Sequence, residues 1–203
     1  MDLFSNQNAL RKTILLDENC EAYVYPDFFT LNESQYFFEN LLAKINWHQD
    51  EIRIYGKLVK TPRLSAWYSD EGKRYGYSKI VLTPLPLIDE LKQIKERVEA
   101  ETGSVFNSVL LNLYRNGEDS MGWHRDNEPE LGINPDIASV SFGATRIFKL
   151  RPYKTKTPVK SIELGSGSLL MMKGGTQHLW EHSVPKTKRV NSPRINLTFR
   201  TIV

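Results

Sequence analysis

From Asn107 to Val203 the chain is a succession of short β-rich runs: SVLLNLYR, ASVSFGATRIFKLR, KSIELGSGSLLMMKG, LWEHSVP and RINLTFRTIV. Glycines and prolines part them at short intervals. Strands so closely spaced, with turn residues between them, favour an antiparallel sandwich, jelly roll or barrel. The second half is therefore the expected β core.

The first half reads differently. Residues 1–22 are polar and irregular, and VYPDFFTLNESQYFFENLLAKINW then predicts a strand end followed by a helix. Asn32 is its candidate cap, and Phe37, Phe38, Leu41, Leu42 and Ile45 form its apolar face. A second helix is predicted in PLPLIDELKQIKERVEAETG, from Leu87, Leu91, Ile94 and Val98 at helical spacing and a stop at Gly103. Between the helices, DEIRIYGKLVKTPRLSAWYSDEGKRYGYSK reads as hairpins and loops. The expected class is α+β, mainly β.

With 203 residues, 40% of them hydrophobic, the chain can bury one sizeable core, and two domains would be cramped. A single domain over 1–203 is expected, divided near 105 into a front part and the β core. Cys20 is the lone cysteine, so no internal disulfide forms, and the first residues lack the apolar run of a signal peptide. No stretch approaches the roughly 20 apolar residues of a membrane span. A cytoplasmic monomer is the expectation, nuclear if the source is eukaryotic. The net charge of +3 permits an anionic partner without demanding one.

MGWHRDNEPE, residues 121–130, puts His124 and Asp126 two apart, in a chain with four histidines. In an extended segment such residues point to one side and can share an ion. A second histidine would complete the two-histidine, one-carboxylate face that leaves iron(II) open positions for substrate and oxygen. His48, His178 and His182 are the candidates, the last two from a late β segment. In RINLTFR, Arg194 and Arg200 are six apart and share a strand face. Two inward guanidiniums beneath an iron site suit a dicarboxylate, which arginine grips through paired hydrogen bonds. The bland alternative, an edge strand with two solvated arginines, loses ground beside the His-x-Asp. In LNLYR, Asn112 and Tyr114 share a face and offer neutral hydrogen bonds to the same ligand.

The ordered set NLY, HRDNE, SFGATRIFKLR, GSLLMMKGGTQHLWEHSVP and PRINLTFR resembles the AlkB family of iron(II) and 2-oxoglutarate dependent dealkylating dioxygenases, from about residue 50 onward. The resemblance implies a double-stranded β-helix, a jelly-roll core behind N-terminal helices and a β-hairpin lid that recognises nucleotides. It places the iron ligands on His124, Asp126 and His182, leaving His178 as a structural residue. It also assigns 2-oxoglutarate to Asn112, Tyr114, Arg194, Asn196 and Arg200, with Arg194 at the distal carboxylate and Arg200 nearer the iron. O2 is the second cosubstrate.

The substrate question falls on the front half. IYG, with Tyr55 between Ile54 and Gly56, resembles the hairpin-tip wedge of the duplex-repairing branch, which fills the gap left by a flipped nucleotide. YGY resembles the base-recognition lid, with Tyr75 a substrate-binding candidate and Tyr77, two after it, stacking on the base opposite His124, while Trp67 and Tyr68 support it. Arg63 faces the DNA by the same resemblance. Glu128 is placed to accept from the exocyclic amine of a damaged base, and Arg146 is expected to neutralise Asp126 or Glu128. Lys57, Lys60, Lys154, Lys156, Lys186, Lys188 and Arg189 are candidate phosphate contacts.

The implied activity is oxidative demethylation of 1-methyladenine and 3-methylcytosine, with etheno adducts as further candidates, releasing formaldehyde and succinate. The implied partner is DNA, single- or double-stranded, with RNA as a further candidate. The rival reading keeps the iron and 2-oxoglutarate residues but acts on RNA, protein or a small molecule, and would need neither wedge nor stacking lid.

Overall fold

Period-2 alternation along a few long strands decides where this chain puts its cores. The computed structural model describes residues 11–14, 16–54, 56–70, 75–77, 80–82 and 84–203; side chains of 52, 54, 75–77 and 80–82 lie outside the description. Strands β1 (Lys12–Ile14) and β2 (Cys20–Tyr25) precede helix α1 (Leu31–Lys44). Then β3 (Glu51–Ile54), β4 (Lys57–Lys60), β5 (Leu64–Ser69), β6 (Tyr75–Tyr77), β7 (Ile80–Leu82) and β8 (Leu85–Pro86) lead to α2 (Asp89–Thr102). The second half runs through β9 (Ser108–Tyr114), β10 (Met121–His124), β11 (Ile137–Gly143), β12 (Arg146–Pro152), β13 (Lys160–Leu164) and β14 (Ser168–Gly174). A short helix α3 (Thr176–Leu179), β15 (Trp180–Val184) and β16 (Arg194–Arg200) complete it.

Eight strands make the larger sheet, in the order β1-β2-β14-β11-β16-β9-β5-β8, and β10-β15-β12-β13 make the smaller one. The second half supplies the whole of the smaller sheet and four strands of the larger, with β1, β2, β5 and β8 coming from the front part; the two sheets make the jelly roll that the resemblance implies, with β16 central rather than at an edge. The hairpins β3–β4 and β6–β7 form two separate two-stranded sheets.

One apolar core lies between the large sheet and the helices, where Phe37 and Leu41 of α1 and Leu91, Ile94 and Val98 of α2 meet Leu111, Phe142, Leu197 and Phe199. The other contains Leu170 and Met172 of the large sheet with Phe148, Leu150 and Trp180 of the small one. Gly143 turns β11 into β12 at φ +86°, and a Cβ there would meet the Pro193 carbonyl at 2.5 Å, so both conformation and space call for glycine.

The helix limits differ in detail from the sequence reading. Thr30, not Asn32, caps α1: its hydroxyl accepts from the Glu33 N–H at 3.3 Å, and the Glu33 carboxylate returns a bond to the Thr30 N–H at 2.7 Å. This reciprocal box satisfies two otherwise orphaned donors, which Asn32, already inside the helix, cannot do. Leu42, expected on the apolar face, is exposed. α2 ends as expected, at Gly103 in the left-handed conformation. Residues 12–14 and 20–22 are not irregular, because the strand expected at Val24–Tyr25 begins at Cys20, pairs with β1 and also pairs along its length with β14. That partner lies far along the chain, so no local signal announces it.

Candidate metal and cosubstrate site

β10 and β15 are neighbours in the small sheet, and His124 stands directly opposite His182 in their register. A register shift between Met121 and His124 re-aims the end of β10, as bulges beside functional sites do. The two imidazole centres are 4.2 Å apart. Asp126 follows β10 and completes the group. Its carboxylate oxygens lie 3.9 Å from His124 Nε2 and 3.8 Å from His182 Nε2, and one ligand atom from each residue falls within 4.8 Å of the others.

His124 Nδ1 lies 2.9 Å from the Gly122 carbonyl, which only accepts, so Nδ1 is the donor there and Nε2 is the ring nitrogen that faces Asp126. Burial pushes His182 down to about 3, with His124 and Arg200 as cationic-type neighbours working in the same direction and Asp126 against it, so its imidazole is neutral. Burial would raise Asp126, but its neighbours, led by the Arg200 guanidinium, outweigh it and hold the carboxyl below the usual range. Arg200 Nη2 donates to Asp126 Oδ1 at 2.8 Å. Gln177, fully buried on α3, accepts from the Asp126 N–H at 3.0 Å through Oε1 and donates to the Met172 sulfur at 3.4 Å.

The cavity over these ligands has a polar floor and apolar walls. Asn112 and Tyr114 of β9 and Asn196, Thr198 and Arg200 of β16 supply the first, and Leu110, Met121, Phe148, Met172 and Val184 the second. Asn196 Nδ2 donates to the Ser139 hydroxyl at 2.8 Å and the Val140 carbonyl at 3.0 Å, fixing which way its amide points. Arg194, 1% exposed, sits with its guanidinium 5.3 Å from the Tyr114 ring centre. It donates to Ser141 at 2.9 Å, while Nε and Nη1 are buried without a well-formed hydrogen bond. Burial drives it down to about 10. Two imidazoles and a carboxylate are ligands of the preferred types, and with a buried guanidinium behind Tyr114 of the cavity floor they fit iron(II) together with a dicarboxylate.

The other expected positions divide. Arg63, at the start of β5, donates to Asn112 Oδ1 at 2.8 Å, so it touches the cavity floor. Glu128 lies just beyond Asp126; burial raises its carboxyl, and Oε2 is buried without a partner. Tyr55 lies outside the described residues, as do the side chains of Tyr75 and Tyr77, whose backbone forms β6. Trp67 and Tyr68 belong to the large sheet: Trp67 Nε1 donates to Ser108 at 2.6 Å, and the Tyr68 hydroxyl accepts from the Asn46 N–H at 3.2 Å. His178 stays out of the ligand group, with Nε2 accepting from the Asn134 N–H at 3.2 Å.

Arg146 does not neutralise Asp126 or Glu128. Its guanidinium donates instead to the carbonyls of Asn116, Asp119 and Pro185, and Arg200 takes the place beside Asp126. Among the candidate phosphate contacts, Lys156 is paired with Glu181 at 3.1 Å and Lys186 with Glu118 at 3.7 Å. Lys57, Lys60, Lys154, Lys188 and Arg189 are exposed. Gln177 escaped the sequence reading; its only signal was a buried-type amide in GGTQHLWEH, close to a candidate ligand.

The model of the 2OG-Fe(II) oxygenase superfamily matches residues 21–200. Alpha-ketoglutarate-dependent dioxygenase alkB homolog 3 of Homo sapiens is 43% identical over 189 residues, 88% of this chain and 65% of that protein. DNA oxidative demethylase ALKBH2 of Homo sapiens is 39% identical over 189 residues, covering 88% and 72% respectively. The chain thus spans less than two thirds of the length of the first of these relatives. Among solved structures, OsALKBH1 superimposes with a TM-score of 0.63 over 94% of this chain and 100% of that one; at 14% identity this speaks for the fold alone. Family model, relatives and ligand geometry agree: the chain belongs to the AlkB family of 2OG-Fe(II) oxygenases.

Proposed function

We propose that this protein is an oxidative demethylase of N-alkylated bases in DNA, with iron(II), 2-oxoglutarate and O2, acting on 1-methyladenine, 3-methylcytosine and, by extension, etheno adducts and RNA. The observation that carries the reading is the convergence of His124, Asp126 and His182 on one point at the mouth of a cavity whose floor is lined by Asn112, Tyr114, Asn196 and Arg200. Relatives named a DNA oxidative demethylase and an alpha-ketoglutarate-dependent dioxygenase support the substrate class.

The bound iron and its cosubstrates would supply the oxidant that hydroxylates the N-methyl carbon, after which the hemiaminal collapses to formaldehyde and the free base. The protein's share is to bind and to orient. His124, Asp126 and His182 hold the metal, while Arg200 keeps Asp126 ionised and fixes one of its oxygens. Asn112, Tyr114, Asn196 and Arg200 hold the cosubstrate along the floor, and Arg194 takes its distal carboxylate. The walls of Leu110, Met121, Phe148, Met172 and Val184 exclude water. On the substrate side, Glu128 offers its unpartnered oxygen to the exocyclic amine of a flipped base. Arg63 lies at the junction of the hairpin and the cavity. Tyr55 acts as the wedge, Tyr75 and Tyr77 stack on the base, and the exposed lysines meet phosphates.

The test is an aerobic assay with iron(II), ascorbate, 2-oxoglutarate and an oligonucleotide carrying one 1-methyladenine, single- and double-stranded, read by product mass. Loss of the methyl mass, abolished in His124→Ala, is expected, and Tyr55→Ala should slow the duplex reaction more than the single-strand one. Succinate formation with an intact base would leave the cosubstrate site standing and remove the substrate assignment.

A further inference from the structure

Tyr114 has two buried guanidiniums close to its ring: Arg194, 5.3 Å from the centre, and Arg146, 5.5 Å. Both are at most 2% exposed. Their hydrogen bonds end on neutral atoms: a serine hydroxyl for Arg194, and backbone carbonyls at 2.7, 2.9 and 3.1 Å for Arg146. The nearest acid, Asp119, is engaged by Arg115 through bonds of 2.8 and 2.9 Å, so its charge is largely matched already. Three nitrogens of the pair, Arg146 Nε and Arg194 Nε and Nη1, are buried without a well-formed hydrogen bond, and the one further polar neighbour of Arg194 is the neutral Tyr114 hydroxyl. Arg200, at the iron end, is by contrast neutralised by Asp126.

Two like charges buried together, with only the already paired Asp119 as a nearby counter-charge to Arg146, are costly, and the cost falls when an anion arrives. We propose that Arg146 is a specificity-determining residue for the cosubstrate: its charge adds to that of Arg194 and selects a 2-oxo acid bearing a second carboxylate. This rests on the cosubstrate reading of the cavity. Arg146 need not touch the ligand. A carboxylate bound to Arg194 beside Tyr114 lies in its field, in a site that bulk salt screens poorly. A ligand ending in a methyl group gains nothing from either charge.

Arg146 also ties the 116–119 loop to Pro185, so the test must separate charge from scaffolding. Calorimetric titration of the Mn(II)-loaded protein, which does not turn over, with 2-oxoglutarate and with 2-oxopentanoate compares two acids that differ at the far carboxylate. Arg146→Gln should raise the Kd for 2-oxoglutarate about tenfold and leave that for 2-oxopentanoate within about twofold. Arg115→Gln provides the second variant, at a half-exposed side chain that makes none of the Arg146 bonds. It frees the Asp119 carboxylate to oppose Arg146 and should lower the preference for the dicarboxylate about threefold.

Equal weakening of both acids in Arg146→Gln would reduce the residue to scaffolding, and an unchanged preference would overturn the proposal as well. If Arg146→Gln does not fold, an unchanged preference in Arg115→Gln overturns it alone. Failure of 2-oxoglutarate to bind the wild-type Mn(II) protein would instead refute the cosubstrate reading beneath it.

Discussion

Strands β9, β11 and β16 carry two different chemistries on their two faces. Toward the helices they present Val109, Leu111 and Leu113, Val140 and Phe142, and Ile195, Leu197 and Phe199, all buried and apolar. Toward the small sheet the alternate residues include Asn112 and Tyr114, Ser139 and Ser141, and Arg194, Asn196, Thr198 and Arg200, a predominantly polar set with Leu110 and Ile137 as apolar members. The backbone ladder is the same for both, since Asn196 pairs with Asn112 as Leu197 pairs with Leu111. What differs is the use of burial: one face gains stability from it, and the other spends that gain on desolvated charges that await a ligand. A one-residue slip of β16 would exchange the two, so its register is specified strongly.

The largest expected effect lies on the apolar face. Phe142, fully buried, packs against Phe29 and Phe37 with ring centres 5.4 and 5.6 Å away. Phe142→Ala should cost about 3–5 kcal/mol, the usual range for deleting a buried aromatic ring. Urea unfolding should show the loss, while the folded protein keeps its Mn(II) affinity. A matching loss of metal binding would break the division between the faces.

On the polar side, Gln177 offers the complementary change. Its amide spans the Asp126 N–H and the Met172 sulfur, and so ties the segment after β10 to α3, next to the strand that carries His182. Gln177→Leu keeps most of the volume but removes the bond that positions Asp126. Metal affinity should fall about 10- to 100-fold, as for other outer partners of metal ligands, and stability by about 1–3 kcal/mol for the unsatisfied N–H. Calorimetry with Mn(II) beside thermal unfolding measures both. A fall in stability with unchanged affinity would make Gln177 a core residue only.

The two faces also differ in how they read from sequence. Arg194 and Arg200 could be placed on one face by counting, because strand alternation is local, and His124 with Asp126 likewise. His182 was only one of three candidates until the family resemblance chose it. Partnerships that depend on distant segments left no trace: the pairing of β2 with β14, the bond from Arg63 to Asn112, and the roles of Gln177 and Arg146. Arg146, expected beside Asp126 or Glu128, meets backbone carbonyls instead, since strand position gives the side of a sheet but not which neighbour is nearer, and Arg200 stands at Asp126. The cap of α1 moved from Asn32 to Thr30 because the Thr30–Glu33 box offers two bonds where a lone asparagine offers one.

That box supplies the smallest expected effect, and it places a charge at the rim of the apolar layer. The Glu33 carboxylate accepts from the Thr30 N–H at 2.7 Å, the Thr30 hydroxyl at 2.8 Å and Arg97 of α2 at 2.5 Å. Burial would raise its carboxyl, but the Thr30 bonds and Arg97 outweigh burial and lower it. A carboxyl lowered on folding contributes stability that is complete above its unfolded value, about 4.3, and that disappears as pH falls through the folded value. Wild type should therefore exceed Glu33→Gln in stability at pH 7 by less than about 1 kcal/mol, given partial solvent screening. The difference should close toward pH 3, below the unfolded value, in thermal melts of both proteins across that range. A gap that instead widens in acid would mean that Glu33 is not held ionised by Thr30 and Arg97, and that the helices meet through apolar packing alone.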